Sequence, residues 1–342
     1  MKEKIAWIWF HELKGLTLSQ KKELLELHKT PLAIYNLPFE SLQIQGVNLL
    51  TTEFAINPNR LTIAEEIYEK SVQIGIDIFT IEDANIAGFE TSNKHWPLVI
   101  YYRGNPPNSH SVALIGTRDL SAMGYYFVEE VLEKLSHEGN SVYAGLASGV
   151  EKVALEGSLK RKLSTTAVLT HGLDTCYPKR QIHIMERVIN HGTLVSPFPV
   201  GVSPNKYAYV LRNQLLVLMT KQTILVEASL TSNALSIAKL AHMYDRPVLT
   251  IKGPPKTTRC AGNNALLKSK IAMPIDVRLQ QDISLHFYHK VAQRLKIEPM
   301  CFDQIIQTFG SEYPDITSLI LMLEHNRIVS LNSLGKWVYN GW

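Results

Sequence analysis

Glycines, small hydroxyl residues and guanidiniums recur where short apolar runs of this sequence stop. Gly116-Thr117-Arg118 follows VALI, and Gly145-Leu146-Ala147-Ser148-Gly149 follows SVYA. His171-Gly172-Leu173-Asp174 ends a third run and leads into Tyr177-Pro178-Lys179-Arg180. Arg212-Asn213 lies beyond Ser196-Pro197-Phe198-Pro199 and Gly201, and Glu227-Ala228-Ser229 precedes Ser232 and Asn233. Glycine lets a ligand approach the backbone closely. Hydroxyls and amides donate, and the planar arginine fork matches phosphate oxygens. Helix N-termini beyond such turns also attract anions. Together these residue types make a donor-rich pocket suited to phosphate.

The spacing narrows which phosphate. A dinucleotide site needs GxGxxG after the first strand, and a triphosphate site needs GxxxxGK[ST]. The turn here is GTRDLSAMG, and no Walker sequence occurs. Hydride transfer and ATP hydrolysis therefore lose ground. No nucleophilic set emerges either, because Ser148 and Ser232 lack a His–Asp signature nearby. The twelve histidines contain no HExxH. His171 is expected to pack or support its neighbours, and Glu227, the one candidate acid, to buttress the adjacent turn. Neither catalysis, a cofactor nor a metal is expected.

Composition sets the outer limits. A net charge of +4 across 342 residues leaves any nucleic-acid role to local clustering. No apolar run approaches the ~20 residues that cross a bilayer, so no membrane partner is expected. MKEKIAWIWFHELKG has no small-residue cleavage site, and the reading is a cytoplasmic protein. Cys176, Cys260 and Cys301 form no CxxC pair and give no disulfide framework.

Three regions must position these residues. Residues 1–85 read as a helical domain of the SAM or helix-hairpin-helix kind, through KKELLELHK and RLTIAEEIYEKSVQIG. WPLVIYYRGNPP (96–107) reads as a strand and a proline-rich junction. Within 86–281, strands are expected at 112–116, 141–147, 165–172, 193–198, 223–229 and 247–253, alternating with helical runs. Continuous apolar strands alternating with helices give an α/β, Rossmann-like, mainly parallel sheet. Residues 282–342 read as three helical runs and a hairpin, a winged-helix domain.

The strand ends resemble the DprA/Smf family of DNA-processing protein A. Gly116-Thr117-Arg118 and Gly124 match its Gly-Ser-Arg turn. GLASGVE (145–151) matches GLARGID, and AVLTHGLDTCYP (167–178) matches AVLGxGLDxxYP. SPFPVG, RNQLLVLMT, VEA with Ser232 and Leu235, and GNNALL (262–267) follow the family's order. The resemblance implies a single-stranded DNA-binding recombination mediator that protects DNA, helps load the RecA recombinase in natural transformation, and forms a homodimer. It implies Gly116, Thr117, Arg118, Gly145, Ser148, Gly149, Lys179, Arg212, Asn213, Ser232 and Asn264 as phosphate-pocket residues. Ser148 stands where the family has arginine, Leu155 where it has histidine, and Gln214, Pro197 and Asn233 also depart. Losing that arginine removes one charge-assisted contact. A nucleotide-sensing or nucleotide-processing protein with the same pocket and no DNA role stays open as the alternative.

Overall fold

The computed structural model describes residues 2–37, 61–253, 257–275, 291–309, 320, 323–324 and 329–340. Its centre is a nine-stranded sheet of order β1-β2-β6-β5-β4-β3-β7-β8-β9. The strands are β1 (Ile76–Thr80), β2 (Val99–Gly104), β3 (Ser111–Ile115), β4 (Ser141–Ala144) and β5 (Thr165–Val168). They continue with β6 (Thr193–Ser196), β7 (Gln222–Leu225), β8 (Val248–Thr250) and β9 (Met273–Pro274). The ladder from β6 to β9 is parallel, whereas β2 runs antiparallel to both β6 and β1. The α/β, mainly parallel reading holds. Each of the six expected strands is present but ends one to four residues early, because its tail leaves the ladder for the connection that follows. β3, β4, β5 and β6 are buried at every position, as strands covered on both faces must be.

Helices cover both faces. On one side lie α1 (Lys2–Glu12), α2 (Leu18–His28), α3 (Pro31–Tyr35) and α4 (Thr62–Gln73), which share a core with the sheet. The same core continues under three more helices. After α5 (Ile81–Ile86) these are α6 (Ala122–His137), α7 (Val150–Lys160) and α8 (Ile182–His191). The opposite face packs α9 (Lys206–Leu218), α10 (Ala234–Met243) and Leu266 of α11 (Ala261–Lys268). The strand Ile76–Thr80 was absent from the helical reading of residues 1–85, and it belongs to this sheet.

A third, smaller core joins Val291, Leu295, Ile305, Val329 and Trp337. It contains α12 (Phe302–Phe309) and the antiparallel hairpin of β10 (Val329–Leu331) and β11 (Trp337–Tyr339). Most of the third expected helical run there, 316–326, lies outside the described residues.

Candidate nucleic-acid interface

Two turns at the carboxyl ends of β3 and β4 are built into each other. The Thr117 amide donates to the Glu227 carbonyl at 2.8 Å, and Val150 donates to the Thr117 carbonyl at 3.1 Å. Gly149 has φ +75°, and a Cβ there would stand 2.2 Å from the Thr117 carbonyl oxygen. Only glycine joins the turns this closely. A Cβ on Gly116 would meet Val150 Cγ2 at 2.5 Å. The Thr117 hydroxyl accepts from the Asp119 amide at 3.1 Å, so it shapes the turn from within.

Glu227 performs the buttressing its position predicted. Only 3% exposed, it accepts from the amide and hydroxyl of Ser121, whose Oγ caps α6 by accepting from Gly124 at 3.0 Å. Glu151 plays a similar part in the second turn. One carboxylate oxygen accepts from the Ala147 amide at 2.8 Å, and the other from Arg212 Nη1 at 3.0 Å. Both side chains of that ion pair are under a tenth exposed. A Cβ on Gly145 would collide with both groups, which explains the glycine.

Arg118, Ser148, Arg180 and Arg212 line a cavity of about 120 Å³ beyond the strand ends, with Tyr177, Tyr209 and His171 among its walls. Arg118 is exposed and forms no side-chain hydrogen bond or ion pair with a described residue. Its two potential carboxylate partners are occupied. Asp119 pairs with Arg259 at 2.9 Å, and Asp174 accepts from the Gly201 amide at 3.0 and 3.1 Å. Arg180 donates to the Ser148 hydroxyl at 3.0 Å, which brings a guanidinium to the position where the family pattern's arginine is missing. Arg212 lies 5.9 Å from the Tyr209 ring, and its Nε is buried without a described partner.

The expected set is therefore only partly assembled. Gly116, Thr117, Arg118, Gly145, Ser148, Gly149 and Arg212 come together. Lys179 is exposed beside Arg180. Asn213, next to Arg212 on α9, has a buried Oδ1 without a described partner and is not a wall of the cavity. Ser232 accepts from Ala234 at the start of α10. Asn264 exchanges two hydrogen bonds with the backbone of Gly253, so its amide serves a loop. Tyr209 was missed, although its i,i+3 spacing from Arg212 puts both on one helical face.

Nearby thiols are poorly suited to attack. Burial, aided by Glu186, pushes the Cys176 thiol up. Burial, with Glu227 nearby, raises Cys260 to about 11. Neither favours the thiolate that nucleophilic chemistry requires. Among the described residues, no group of three His, Cys, Asp or Glu could hold a metal ion.

The opposite face of α9 borders a larger cavity of about 360 Å³, walled by Leu18, Lys21, His95, Tyr207, Val210 and Gln214, among others. Lys21 is 6% exposed and donates to the His11 carbonyl at 2.6 Å. Burial, reinforced by the Lys21 charge, pushes His11 down to about 3.

The family profile described as DNA recombination-mediator protein A matches residues 77–285, more than half of the chain. This chain belongs to that family. Protein Smf of Escherichia coli is 31% identical over 229 residues, covering 64% of this chain and 61% of that protein. Protein Smf of Synechocystis is 26% identical over 278 residues, covering 76% and 67%. The putative DNA processing protein DprA of Mycobacterium tuberculosis is 30% identical over 178 residues, 51% of this chain and 46% of the relative, so the match spans about half of that protein. The X-ray structure of DprA from Streptococcus pneumoniae superposes with a TM-score of 0.63 at 23% identity, covering 80% of this chain and 95% of that one. At that identity the superposition establishes the shared fold. The Gly116-Thr117-Arg118 turn, the GLASGVE turn and Arg212 all lie inside the family match.

Among the described residues, no helix is long and apolar enough to cross a membrane.

Proposed function

We propose that this chain is a single-stranded DNA-binding recombination mediator that holds its ligand by the phosphates and breaks no bond. The observation that carries this reading is the strand-end cavity, which Arg118, Arg180 and Arg212 line and where Arg118 has no partner among the described residues. A ligand held by backbone turns and arginine forks is bound without base readout, as phosphodiester tracking requires. Glu227 and Glu151 are both absorbed in holding turns, so neither is a poised acid or base at the cavity. In this reading the protein protects single strands and helps load RecA in the cytoplasm, acting as a homodimer. In the same reading the C-terminal region that holds α12 and the β10–β11 hairpin belongs to a winged helix.

Titration with fluorescent oligo-dT of increasing length, across a salt series and with AMP as competitor, tests the reading. Affinity should rise with length until the site is filled and fall with salt, with a slope of roughly −0.7 per phosphate contacted. Saturation by AMP with indifference to oligonucleotide would instead identify a mononucleotide sensor.

A further inference from the structure

The half of the sheet domain from β6 to β9 holds charge that the whole-chain figure conceals. Residues 193–275 carry ten Lys or Arg against two Asp or Glu, whereas the rest of the chain carries 25 against 29. The net +4 thus divides into a cationic half-domain and an acidic remainder, and a local excess of this kind draws anionic ligands. Several of these cations are spent inside the fold. Arg212 pairs with Glu151, and Lys221 and Arg246 both pair with Glu90. Arg259 is paired as well, with Asp119, yet that pair stands in the open beside the Arg118 turn.

Hydrogen bonds place Arg259 there. The turn after β3 is joined to the tail of β7 through the Thr117 amide, which donates to the Glu227 carbonyl. That tail is joined in turn to α11, because Gly262 donates to the Ala228 carbonyl at 2.9 Å and the Ala228 amide donates to Asn263 Oδ1 at 2.9 Å. Arg259, two residues before α11, reaches back across this junction. Its Nη1 donates to the Asp119 carbonyl at 2.8 Å, and its Nη2 to the Asp119 carboxylate at 2.9 Å. Arg259 is therefore fastened to the residue that follows Arg118.

The fastening leaves donors over. A guanidinium carries five N–H groups, two of them are engaged here, and 46% of the side chain is exposed. The acids of the neighbouring turns are already occupied: Glu227 is buried on Ser121, and Asp119 is bound to Arg259 itself. Residues 228–233 after β7 and 251–260 after β8 contain no Asp or Glu. Exposed Thr231, Lys252 and Thr258 lie on these two connections. An anion resting against this junction meets donors and cations.

We propose that Arg259 holds the phosphate next to the one seated at Arg118, so that the strand leaves the cavity across the Thr117–Asp119 turn and passes onto the junction of β7 with α11. The assignment rests on the single-stranded DNA reading and gives that strand a direction. Its ligand is a second, adjacent phosphodiester of the same chain. Consecutive Cα atoms are ~3.8 Å apart, and two arginines anchored one residue apart can reach neighbouring phosphates of an extended strand. Asp119 is the positioning residue, since it fixes the guanidinium from one edge and leaves the other edge to the ligand.

Calorimetric titration of the full chain with TpT and TpTpT, which carry one and two phosphodiesters, tests this across a salt series. In the wild-type chain the second phosphodiester should tighten binding about tenfold or more, as a charge-assisted contact does, and steepen the salt slope by about 0.7. Arg259→Ala should lose that increment while keeping its TpT affinity within about twofold of wild type. Arg259→Lys should restore the salt increment but only part of the affinity, because an ammonium lacks the planar fork. An equal step from TpT to TpTpT in wild type and Arg259→Ala, whatever its size, would overturn the assignment and leave the DNA reading standing. Equal weakening of both ligands in Arg259→Ala would overturn it too, since Arg259 would then only hold the Arg118 turn. A wild-type chain that binds neither these nor longer oligo-dT would remove the DNA reading and the assignment together.

Discussion

Helix α9 has a cavity on each side. Tyr209 and Arg212 face the strand ends, where the space is about 120 Å³. Tyr207, Val210 and Gln214 face the N-terminal helices, where it is about 360 Å³. The larger space has polar walls too, and two of them, Lys21 and His11, offer it no charge to spare. Lys21 is hydrogen-bonded to the His11 carbonyl, and His11 is neutral at any physiological pH. The smaller one retains an exposed Arg118 with no carboxylate partner among the described residues, and two buried nitrogens without described partners. Capacity to hold an anion follows from unspent donors, not from room. On the proposed function, one cavity is the binding site and the other a seam between packed elements.

That contrast can be broken most forcefully at Glu151. Glu151→Ala strands the Arg212 guanidinium under a tenth exposed and removes the acceptor for Ala147. Breaking a buried pair from one side typically costs about 3–5 kcal/mol, measurable by chemical denaturation. A loss under about 1 kcal/mol, the value of an exposed pair, would show that the pair does not organise the site. Gly149→Ala comes next. It forces a side chain into a positive-φ position against the Thr117 carbonyl, and should cost about 1–3 kcal/mol while also weakening oligonucleotide binding.

Arg118→Ala should separate binding from folding. Losing a charge-assisted contact of about 1.5–3 kcal/mol weakens oligonucleotide binding about tenfold or more and makes the salt dependence shallower by about 0.7. Stability should move by less than about 0.5 kcal/mol, as for an uninvolved surface group. The smallest effect at neutral pH belongs to the seam. The folded pKa of His11 lies below the unfolded value of about 6.5, so the unfolded chain binds the proton first as pH falls. Stability from this residue is full above that value and is lost as pH drops toward about 3. His11→Gln should flatten this slope in urea titrations at graded pH while changing neutral-pH oligonucleotide affinity less than about twofold.

The turns were legible because their chemistry is local. Glycine, threonine and arginine at 116–118 announce a strand-to-helix turn, and GLASGVE announces a second. What escaped depends on distance or on burial. Arg212 and Glu151 are 61 residues apart, and no periodicity links them. Helix α9 buries residues around much of its circumference, from Ala208 to Leu218, so no single apolar stripe marked it. Strand β1 runs on from the helical pattern of α4 with only Ile74 and Gly75 between, and so it read as more helix. Asn264 looked like a ligand from motif alone, but its amide closes onto Gly253. Asn263, beside it, is the residue that ties β7 to β8 through Val226, Ala228 and Thr250. Neighbouring asparagines with similar chemistry can be told apart only by where the helix turns them.

The interlock of Gly149 with Thr117 bears on kinetics. On the proposed function, a seat fastened on both flanks before any DNA strand arrives needs no ordering step when the strand lands. Capture is then governed by how quickly charge draws the two molecules together, and turnover between strands by how fast each one leaves.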